Sequence, residues 1–160
     1  MDKNTNFKAT YNKYGDMLYR IAFVYLANPD DTEDVLQDVF FTFLNNPPDF
    51  KDEEHKKAWL IRTTRNKAIN LLKSASHKNV NIDDLQIRID DHNKDLHIDI
   101  LKKVLSLSPK YKAVTVLYYY NDYSVDEISR ILKISKSAVK MRLKRSRELL
   151  KIDLEDYKNE

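Results

Sequence analysis

The sequence predicts an all-α protein made of two small helical domains joined by an acidic linker, and three observations lead to this prediction. Glycine occurs once among 160 residues, whereas ordinary usage of about 7% would supply roughly eleven. Apolar residues recur at spacings of three and four, the period of an amphipathic helix. Residues 80–99 carry six acidic and two basic side chains and lack firm periodicity, which predicts a linker over residues 75–99.

Three helices are predicted in the first 74 residues, over residues 7–27, 32–44 and 53–74. The first shows a long series of apolar residues at helical spacing. The sequence Asn28-Pro29-Asp30 interrupts it, and Asp30 or Asp31 is expected to cap the second helix. Prolines and asparagines at residues 45–49 predict the loop before the third helix.

Four helices are predicted in residues 100–160. The first is expected around residues 98–107, and Ser108 followed by Pro109 marks the start of the second, which runs to about residue 120. Ser124 and Glu127 form a capping box before a short third helix. Ser135 is expected to cap the last helix, over residues 136–150. The predicted inward face of this helix consists of Val139, Leu143, Ser146 and Leu150.

The composition excludes several classes of protein. The absence of cysteine excludes disulfide scaffolds and thiol nucleophiles, and a single glycine excludes the usual phosphate-binding loops. The longest uncharged run, residues 39–48, is too short for the roughly 20 apolar residues of a membrane span. Residues 1–10 lack the apolar core of a signal peptide. We therefore expect a cytoplasmic protein without membrane insertion.

No catalytic or metal-binding pattern emerges from the titratable residues. His92 and His97 are five residues apart, which does not match the i, i+4 spacing of a zinc-binding pair on a helix. Paired carboxylates such as Asp83 and Asp84 lie in a polar segment where nothing would raise a carboxyl pKa. We therefore predict no enzymatic activity, no metal site and no cofactor.

Positive charge is concentrated in the last two helices. Residues 128–147 contain eight Lys and Arg but no Asp or Glu. Such a block favours a polyanionic partner, and nucleic acid is the first candidate. Two short capped helices separated by a tight turn form a helix-turn-helix, whose second helix enters the major groove. An ordinary helical hairpin with a basic polar face is the alternative. The predicted DNA-binding residues here are Ser135, Lys136, Ser137, Lys140, Met141, Arg142, Lys144 and Arg145.

Both halves of the chain resemble one family. Residues 123–132 (YSVDEISRIL) and 134–147 (ISKSAVKMRLKRSR) resemble region 4 of the RNA polymerase sigma-70 family. Residues 31–40 (DTEDVLQDVF) resemble its region 2.2, and residues 58–61 (AWLI) with 65–70 (RNKAIN) resemble regions 2.3 and 2.4. Two such lobes around a short linker are similar to the extracytoplasmic-function (ECF) group.

The resemblance implies a sigma factor, which binds core RNA polymerase and directs promoter-specific initiation. It implies region 2 in residues 1–74, the linker in 75–99 and region 4 in 100–160, with −10 and −35 promoter elements bound by regions 2 and 4. An anti-sigma factor is a candidate further partner. The implied polymerase-binding residues are Asp31, Asp34, Gln37 and Asp38, with Phe40 as an apolar anchor. The implied −10 residues are Arg62, Thr63, Arg65, Asn66, Asn70 and Lys73.

The sequence departs from the family pattern at the turn of the helix-turn-helix. Lys133 stands where the family usually has glycine, so we expect a strained left-handed residue there. Asn70 and Lys73 stand where Asp and Arg are frequent. Two alternatives to a sigma factor remain: a helix-turn-helix regulator that acts without polymerase, and an interaction module that binds only proteins.

Overall fold

The computed structural model describes residues 3–74 and 102–150, and the regular secondary structure of these residues is helical. The chain divides into two compact units, Met1–Leu85 and Gln86–Glu160. The prediction of an all-α protein with two small domains is therefore confirmed. The predicted linker at residues 75–99 and the start of the helix predicted near residue 98 lie outside the described residues.

The first unit is a three-helix bundle. Its helices are α1 (Lys3–Leu26), α2 (Pro29–Asn45) and α3 (Glu53–Leu72), and each packs against the other two. Leu18, Val39 and Leu60 contribute one fully buried side chain from each helix. The amphipathic periodicity read from the sequence thus places three apolar faces around one core.

Helix α2 begins earlier than predicted, and its cap is a different residue. Asn28 takes the N-cap position, and its side-chain oxygen accepts a hydrogen bond from the backbone N–H of Asp31 at 3.1 Å. The prediction that Asp30 or Asp31 caps this helix is therefore wrong. The reason is Pro29, whose fixed backbone angle suits the first helical position and needs no hydrogen-bond acceptor.

A carboxylate connects the start of α3 to α1. The Tyr14 hydroxyl donates a hydrogen bond to Glu53 Oε1 at 2.7 Å, and Lys13 and Lys56 form ion pairs with the same carboxylate at 3.4 and 3.3 Å. The hydrogen bond from Tyr14, followed by the nearby lysines, holds the pKa of Glu53 below its ordinary value of 4.5. This contact joins two helices that are distant in sequence.

Replacing Tyr14 by Phe is expected to lower the free energy of unfolding by about 1 kcal/mol at neutral pH, because Glu53 loses a hydroxyl donor. The folded-state pKa of Glu53 lies below its unfolded-state value, so its contribution is present above pH 4.5 and is lost as the pH falls through the folded-state pKa. The difference between wild type and variant should therefore shrink in acid. Urea denaturation at neutral and acidic pH measures this.

The exposed Tyr11 offers a matched control for this prediction. Tyr11→Phe removes a hydroxyl from the same helix without touching Glu53, and we expect it to leave stability within about 0.5 kcal/mol of wild type. A Tyr14→Phe effect that stays constant down to acidic pH would contradict the role assigned to the Glu53 carboxylate.

The second unit contains the helix-turn-helix. Residues 102–105 are helical, followed by α4 (Pro109–Thr115), α5 (Val125–Leu132) and α6 (Lys136–Leu150), and both α4 and α5 pack against α6. The single α-helix predicted up to residue 120 is corrected: α4 ends at Thr115 and continues as a π-helical turn, Val116–Tyr120. A hydrogen bond from the Asn121 N–H to the Val116 carbonyl, five residues back, closes this wider turn.

The predicted caps of the helix-turn-helix are present. The Ser124 hydroxyl accepts the Glu127 N–H at 3.1 Å, and the Glu127 carboxylate accepts the Ser124 N–H at 3.2 Å, which confirms the capping box. The Ser135 hydroxyl accepts the Ala138 N–H at 3.0 Å at the start of α6. Ser108 takes the N-cap position before Pro109, although its side chain makes no cap hydrogen bond.

Lys133 adopts the left-handed conformation that the family's usual glycine at this turn implies. Its backbone angles are φ 56° and ψ 45°, and its N–H bonds to the Ser129 carbonyl as α5 ends. Ala27 and Asp122 also have positive φ, at 50° and 57°. A residue with a Cβ is less favourable than glycine in this conformation by roughly 1–2 kcal/mol.

Replacing Lys133 by Gly is expected to raise the free energy of unfolding of the second unit by about 1 kcal/mol, because glycine has no Cβ to clash in the left-handed region. Lys133→Ala keeps the Cβ and removes the exposed side chain beyond it, so it is expected to change stability little. Thermal and urea unfolding of the full chain compare the two variants. Equal stabilisation by alanine and glycine would show that the lysine charge, and not its backbone conformation, is unfavourable.

Candidate functional site

The outward side of α6 carries most of the predicted DNA-binding residues. The inward face is as predicted: Val139, Leu143, Ser146 and Leu150 are buried. Met141 is 67% exposed in the middle of the opposite side. We call this side the α6 surface; its residues are Lys136, Ser137, Lys140, Met141, Arg142, Lys144 and Arg145, all exposed except the half-buried Arg142. The helix therefore presents side chains that can reach base edges and phosphates.

Two acidic residues that sequence reasoning missed lie beside the α6 surface. Lys136 forms an ion pair with Asp126, at 2.5 Å, and Arg145 forms one with Glu148, at 3.3 Å. The i, i+3 spacing of Arg145 and Glu148 could have been read from the sequence. The pair between Asp126 and Lys136 joins two helices and depends on the geometry of the turn. Ser135, predicted to contact DNA, uses its hydroxyl oxygen to cap the helix.

An open groove between α4 and α6 extends the α6 surface. It has a volume of about 350 Å³ and is lined by Lys110, Tyr111, Ala138, Met141, Arg142 and Arg145. The Lys110 ammonium lies 4.9 Å from the centre of the Tyr111 ring. Lys110 and Tyr111 were not predicted as site residues, because α4 and α6 are distant in sequence and meet only in the folded domain.

The polar residues predicted on α3 divide into two groups. Arg62, Thr63, Asn66, Asn70 and Lys73 share one side of the helix by their spacing and are exposed or half-buried. We call this side the α3 face. The buried residues Leu60, Ile61, Thr64 and Ala68 occupy the remaining, inward side. The α3 face is thus a continuous polar strip of the first unit.

Arg65 is the member of the predicted set that lies apart from this strip. It is half-buried next to Tyr25 of α1, and its Nη1 donates a hydrogen bond to Asn66 Oδ1 at 3.2 Å. Burial raises the pKa of Tyr25 to about 12, although the positive charge of Arg65 acts in the opposite direction. Arg65 is therefore partly engaged within its own domain, whereas Asn66 and Asn70 are exposed.

The predicted apolar anchor on α2 is wrong. Phe40 is 3% exposed, and its ring packs against Phe7 and Tyr11 with centroid distances of 5.7 and 5.1 Å. It belongs to the core, since the helical turn directs it towards α1. The neighbouring Phe41 is 68% exposed and was missed. Its spacing of four from Gln37 and three from Asp38, and of seven from Asp34, would have placed it on their side of the helix.

The exposed residues of α2 form a compact surface of mixed character. We call it the α2 face; it consists of Asp34, Gln37, Asp38 and Phe41, which are all exposed. Asp31 lies in the first turn and is half-buried, and its N–H bonds to the cap residue Asn28. An exposed aromatic ring beside polar side chains can bind another protein, because aromatic residues are enriched in protein interfaces.

The described residues offer neither a metal-binding cluster nor a membrane-spanning helix. Residues 3–74 and 102–150 contain no group of three or more His, Cys, Asp or Glu side chains placed to hold a metal ion. Within these same ranges, every helix is too short or too polar to cross a membrane.

The fold defines a class of protein: a helical protein with a helix-turn-helix in one domain and a three-helix bundle in the other. Residues 10–78 match the family model for sigma-70 region 2, and residues 97–150 match that for sigma-70 region 4. Together the two matches cover most of the chain. It belongs to the ECF group of the sigma-70 family, and it is a sigma factor that directs transcription.

Curated relatives agree with this assignment. The RNA polymerase sigma factor SigV of Bacillus subtilis (strain 168) is 30% identical over 141 residues, which covers 85% of this chain and 83% of that protein. The ECF RNA polymerase sigma factor SigW of the same strain is 27% identical over 160 residues, covering 89% and 86% of the two chains. The resemblance described from the sequence is therefore confirmed.

Solved structures of similar fold support the architecture. CnrH in complex with the cytosolic domain of CnrY has a TM-score of 0.70 and 23% identity, covering 92% of this chain and 86% of CnrH. The sigma factor RpoE of Bartonella quintana, in complex with the anti-sigma factor NepR, has a TM-score of 0.72 and 20% identity, covering 92% and 98%. At these identities the likeness concerns the fold.

Proposed function

We propose that this sigma factor binds core RNA polymerase through the α2 face and contacts promoter DNA through the α3 face and the α6 surface. Residues 1–74 act as region 2 and residues 100–160 as region 4, with residues 75–99 as the connecting segment. The observation that carries the proposal is the opposite charge of the α2 face and the α6 surface. The α2 face is acidic with one exposed aromatic ring, whereas the α6 surface is basic.

The α2 face suits a basic protein partner better than DNA. Asp34 and Asp38 would repel phosphates, and their carboxylates can accept hydrogen bonds from Lys or Arg of the polymerase. Gln37 adds a neutral donor and acceptor. Phe41 supplies exposed apolar area at the C-terminal end of this set, and an aromatic side chain that becomes buried on binding can contribute strongly to affinity. Asp31 extends the acidic character towards the first turn of the helix.

The α3 face suits the single-stranded DNA of a melted promoter. Asn66 and Asn70 carry amides that can hydrogen-bond to the exposed edges of single-stranded bases. Arg62 and Lys73 supply cations for the backbone, and Thr63 adds a hydroxyl. Arg65, held beside Tyr25, is placed to order Asn66 through their hydrogen bond and to contribute charge at the edge of the face. We assign the −10 element to this face.

The α6 surface suits duplex DNA. Ser137, Lys140 and Met141 lie near the helix start, where a recognition helix reads base edges. Lys136, Arg142, Lys144 and Arg145 can reach the flanking phosphates, which set affinity and register. Ser135 orients the helix entrance through its cap. We assign the −35 element to this surface.

The remaining parts of the proposal concern cellular context. The protein acts in the cytoplasm, where polymerase and DNA are found, and it has no enzymatic activity of its own. It takes no cofactor or metal. An anti-sigma factor is a candidate partner, because CnrH is in complex with the cytosolic domain of CnrY and the Bartonella RpoE with NepR.

Two double variants test whether the α2 face binds polymerase and the α6 surface binds DNA. In pull-down of core RNA polymerase, Asp34→Ala/Gln37→Ala is expected to lose most binding, whereas Lys140→Ala/Arg142→Ala is expected to bind as wild type. In run-off transcription on genomic fragments, both should lose promoter-specific transcripts, each for its own reason. Wild-type protein that binds core polymerase but yields no promoter-dependent transcripts would refute the proposal.

A further inference from the structure

One ion pair connects the two helices of the helix-turn-helix at the edge of the α6 surface. The Lys136 ammonium lies 2.5 Å from Asp126 Oδ1, and the two side chains are 64% and 57% exposed. Asp126 lies in the first turn of α5, and Lys136 is the first residue of α6. The pair therefore occupies the entrance of the recognition helix, where a DNA backbone approaches.

Asp126 stands in a basic environment. Its carboxyl pKa is lowered first by the hydrogen bond from Lys136 and further by the charges of Lys136, Arg130 and Lys140. Arg130 lies one turn further along α5, and Lys140 one turn along α6. The carboxylate is thus a negative charge that faces cations of both helices, at a surface otherwise suited to phosphates.

Lys136 cannot give its full charge to Asp126 and to a phosphate at the same time. A lysine that neutralises a phosphate contributes to affinity on any DNA sequence, because it releases a condensed counterion. Where a carboxylate already neutralises that lysine, binding of the lysine to a phosphate releases no additional counterion and adds less affinity. The carboxylate also repels the phosphate backbone of the DNA. Base-edge contacts from Ser137 or Met141 are not affected in this way.

We propose that Asp126 restrains Lys136 and thereby lowers the affinity of the α6 surface for DNA of any sequence. The proposal rests on the assignment of the α6 surface to duplex DNA. Asp126 acts through Lys136 and need not touch a base.

The expected size follows from the exposure of the pair. Exposed ion pairs are weak, because water and salt screen their charges. Asp126→Asn is therefore expected to tighten binding to a mixed-sequence duplex by about two- to fivefold. The slope of log affinity against log salt concentration should become steeper by about 0.9, the value for one additional phosphate contact.

The experiment uses the full chain and a fluorescent mixed-sequence duplex, with anisotropy measured over a series of salt concentrations. Asp126→Glu keeps the charge and should behave as wild type. In a Lys136→Ala background, Asp126→Asn should no longer steepen the salt slope, because the restrained cation is absent. Lys140→Ala is included to test whether the α6 surface binds DNA at all.

The outcomes separate this inference from the proposed function. If Lys140→Ala weakens binding but Asp126→Asn leaves affinity and slope unchanged, the restraint is refuted and the DNA-binding role stands. If Lys140→Ala has no effect either, the DNA-binding role fails and the restraint with it. Loss of Asp126 also removes a favourable charge from the start of α5. A purely structural role would therefore weaken binding, the opposite of the expected sign, and would equally refute the restraint.

Discussion

Replacing Phe41 by Ala is expected to weaken assembly with core RNA polymerase by about ten- to hundredfold, the range for an aromatic residue at the centre of an interface. The side chain is 68% exposed in the free protein, so its removal should change the free energy of unfolding by less than about 0.5 kcal/mol. Titration of core polymerase against labelled protein measures the first quantity, and urea denaturation the second.

The adjacent Phe40 provides a matched control of the opposite kind. It is 3% exposed and packs against Phe7 and Tyr11, so Phe40→Ala is expected to destabilise the first unit by about 3–5 kcal/mol. Polymerase binding would then fall only in proportion to the unfolded fraction. Wild-type assembly by the Phe41 variant would remove this residue from the interface and leave the acidic members of the α2 face to account for binding.

Replacing both Lys140 and Lys144 by Ala is expected to reduce affinity for duplex DNA about tenfold or more near physiological salt. The two lysines are exposed one turn apart on α6 and can each neutralise one phosphate. Each lost contact should also reduce the steepness of the salt dependence by about 1. Anisotropy of a labelled duplex over a range of salt concentrations yields both quantities.

Lys140→Arg/Lys144→Arg keeps the charge and is the matched control. This variant should retain the salt slope of wild type, although arginine can change contacts with individual bases. Equal loss of affinity in both double variants would indicate that these positions act through side-chain shape. An unchanged salt slope in the alanine variant would show that neither lysine meets a phosphate.

Local features of the second unit could be predicted from the sequence. The capping box of Ser124 and Glu127, the Ser135 cap and the left-handed Lys133 are all present as expected. The two caps depend on residues within four positions of each other, so their chemistry is visible in the sequence. The Lys133 conformation was instead expected from the glycine that the family usually has at this turn. The inward face of α6 was likewise predictable from its helical period. The π-helical turn after α4 was not, because nothing in its apolar spacing distinguishes it from an α-helix.

The sequence could not show which of two adjacent aromatic residues on α2 is exposed and could serve as the polymerase anchor. Phe40 and Phe41 are equally apolar, and which of them faces the core depends on how α2 rotates against α1. The motif resemblance pointed to Phe40. The exposed carboxylates of the same helix, at Asp34 and Asp38, indicate by their spacing that the outward aromatic is Phe41.

Contacts between distant segments could not be predicted at all. Tyr25 meets Arg65 across 40 positions, and Tyr14 meets Glu53 across a similar distance. The pair of Asp126 and Lys136 spans a shorter interval, but it requires the angle that the left-handed Lys133 imposes on the turn. In each case the packing of helices selects the partner, and the sequence alone contains many equivalent charges and hydroxyls.

The three left-handed residues described above have a consequence for the substitutions that this protein tolerates. Ala27, Asp122 and Lys133 each occupy a backbone conformation that glycine would adopt with less strain. A single substitution to glycine at any of these turns would raise the free energy of unfolding. The added stability would let the chain accept destabilising replacements on the α6 surface while it still folds.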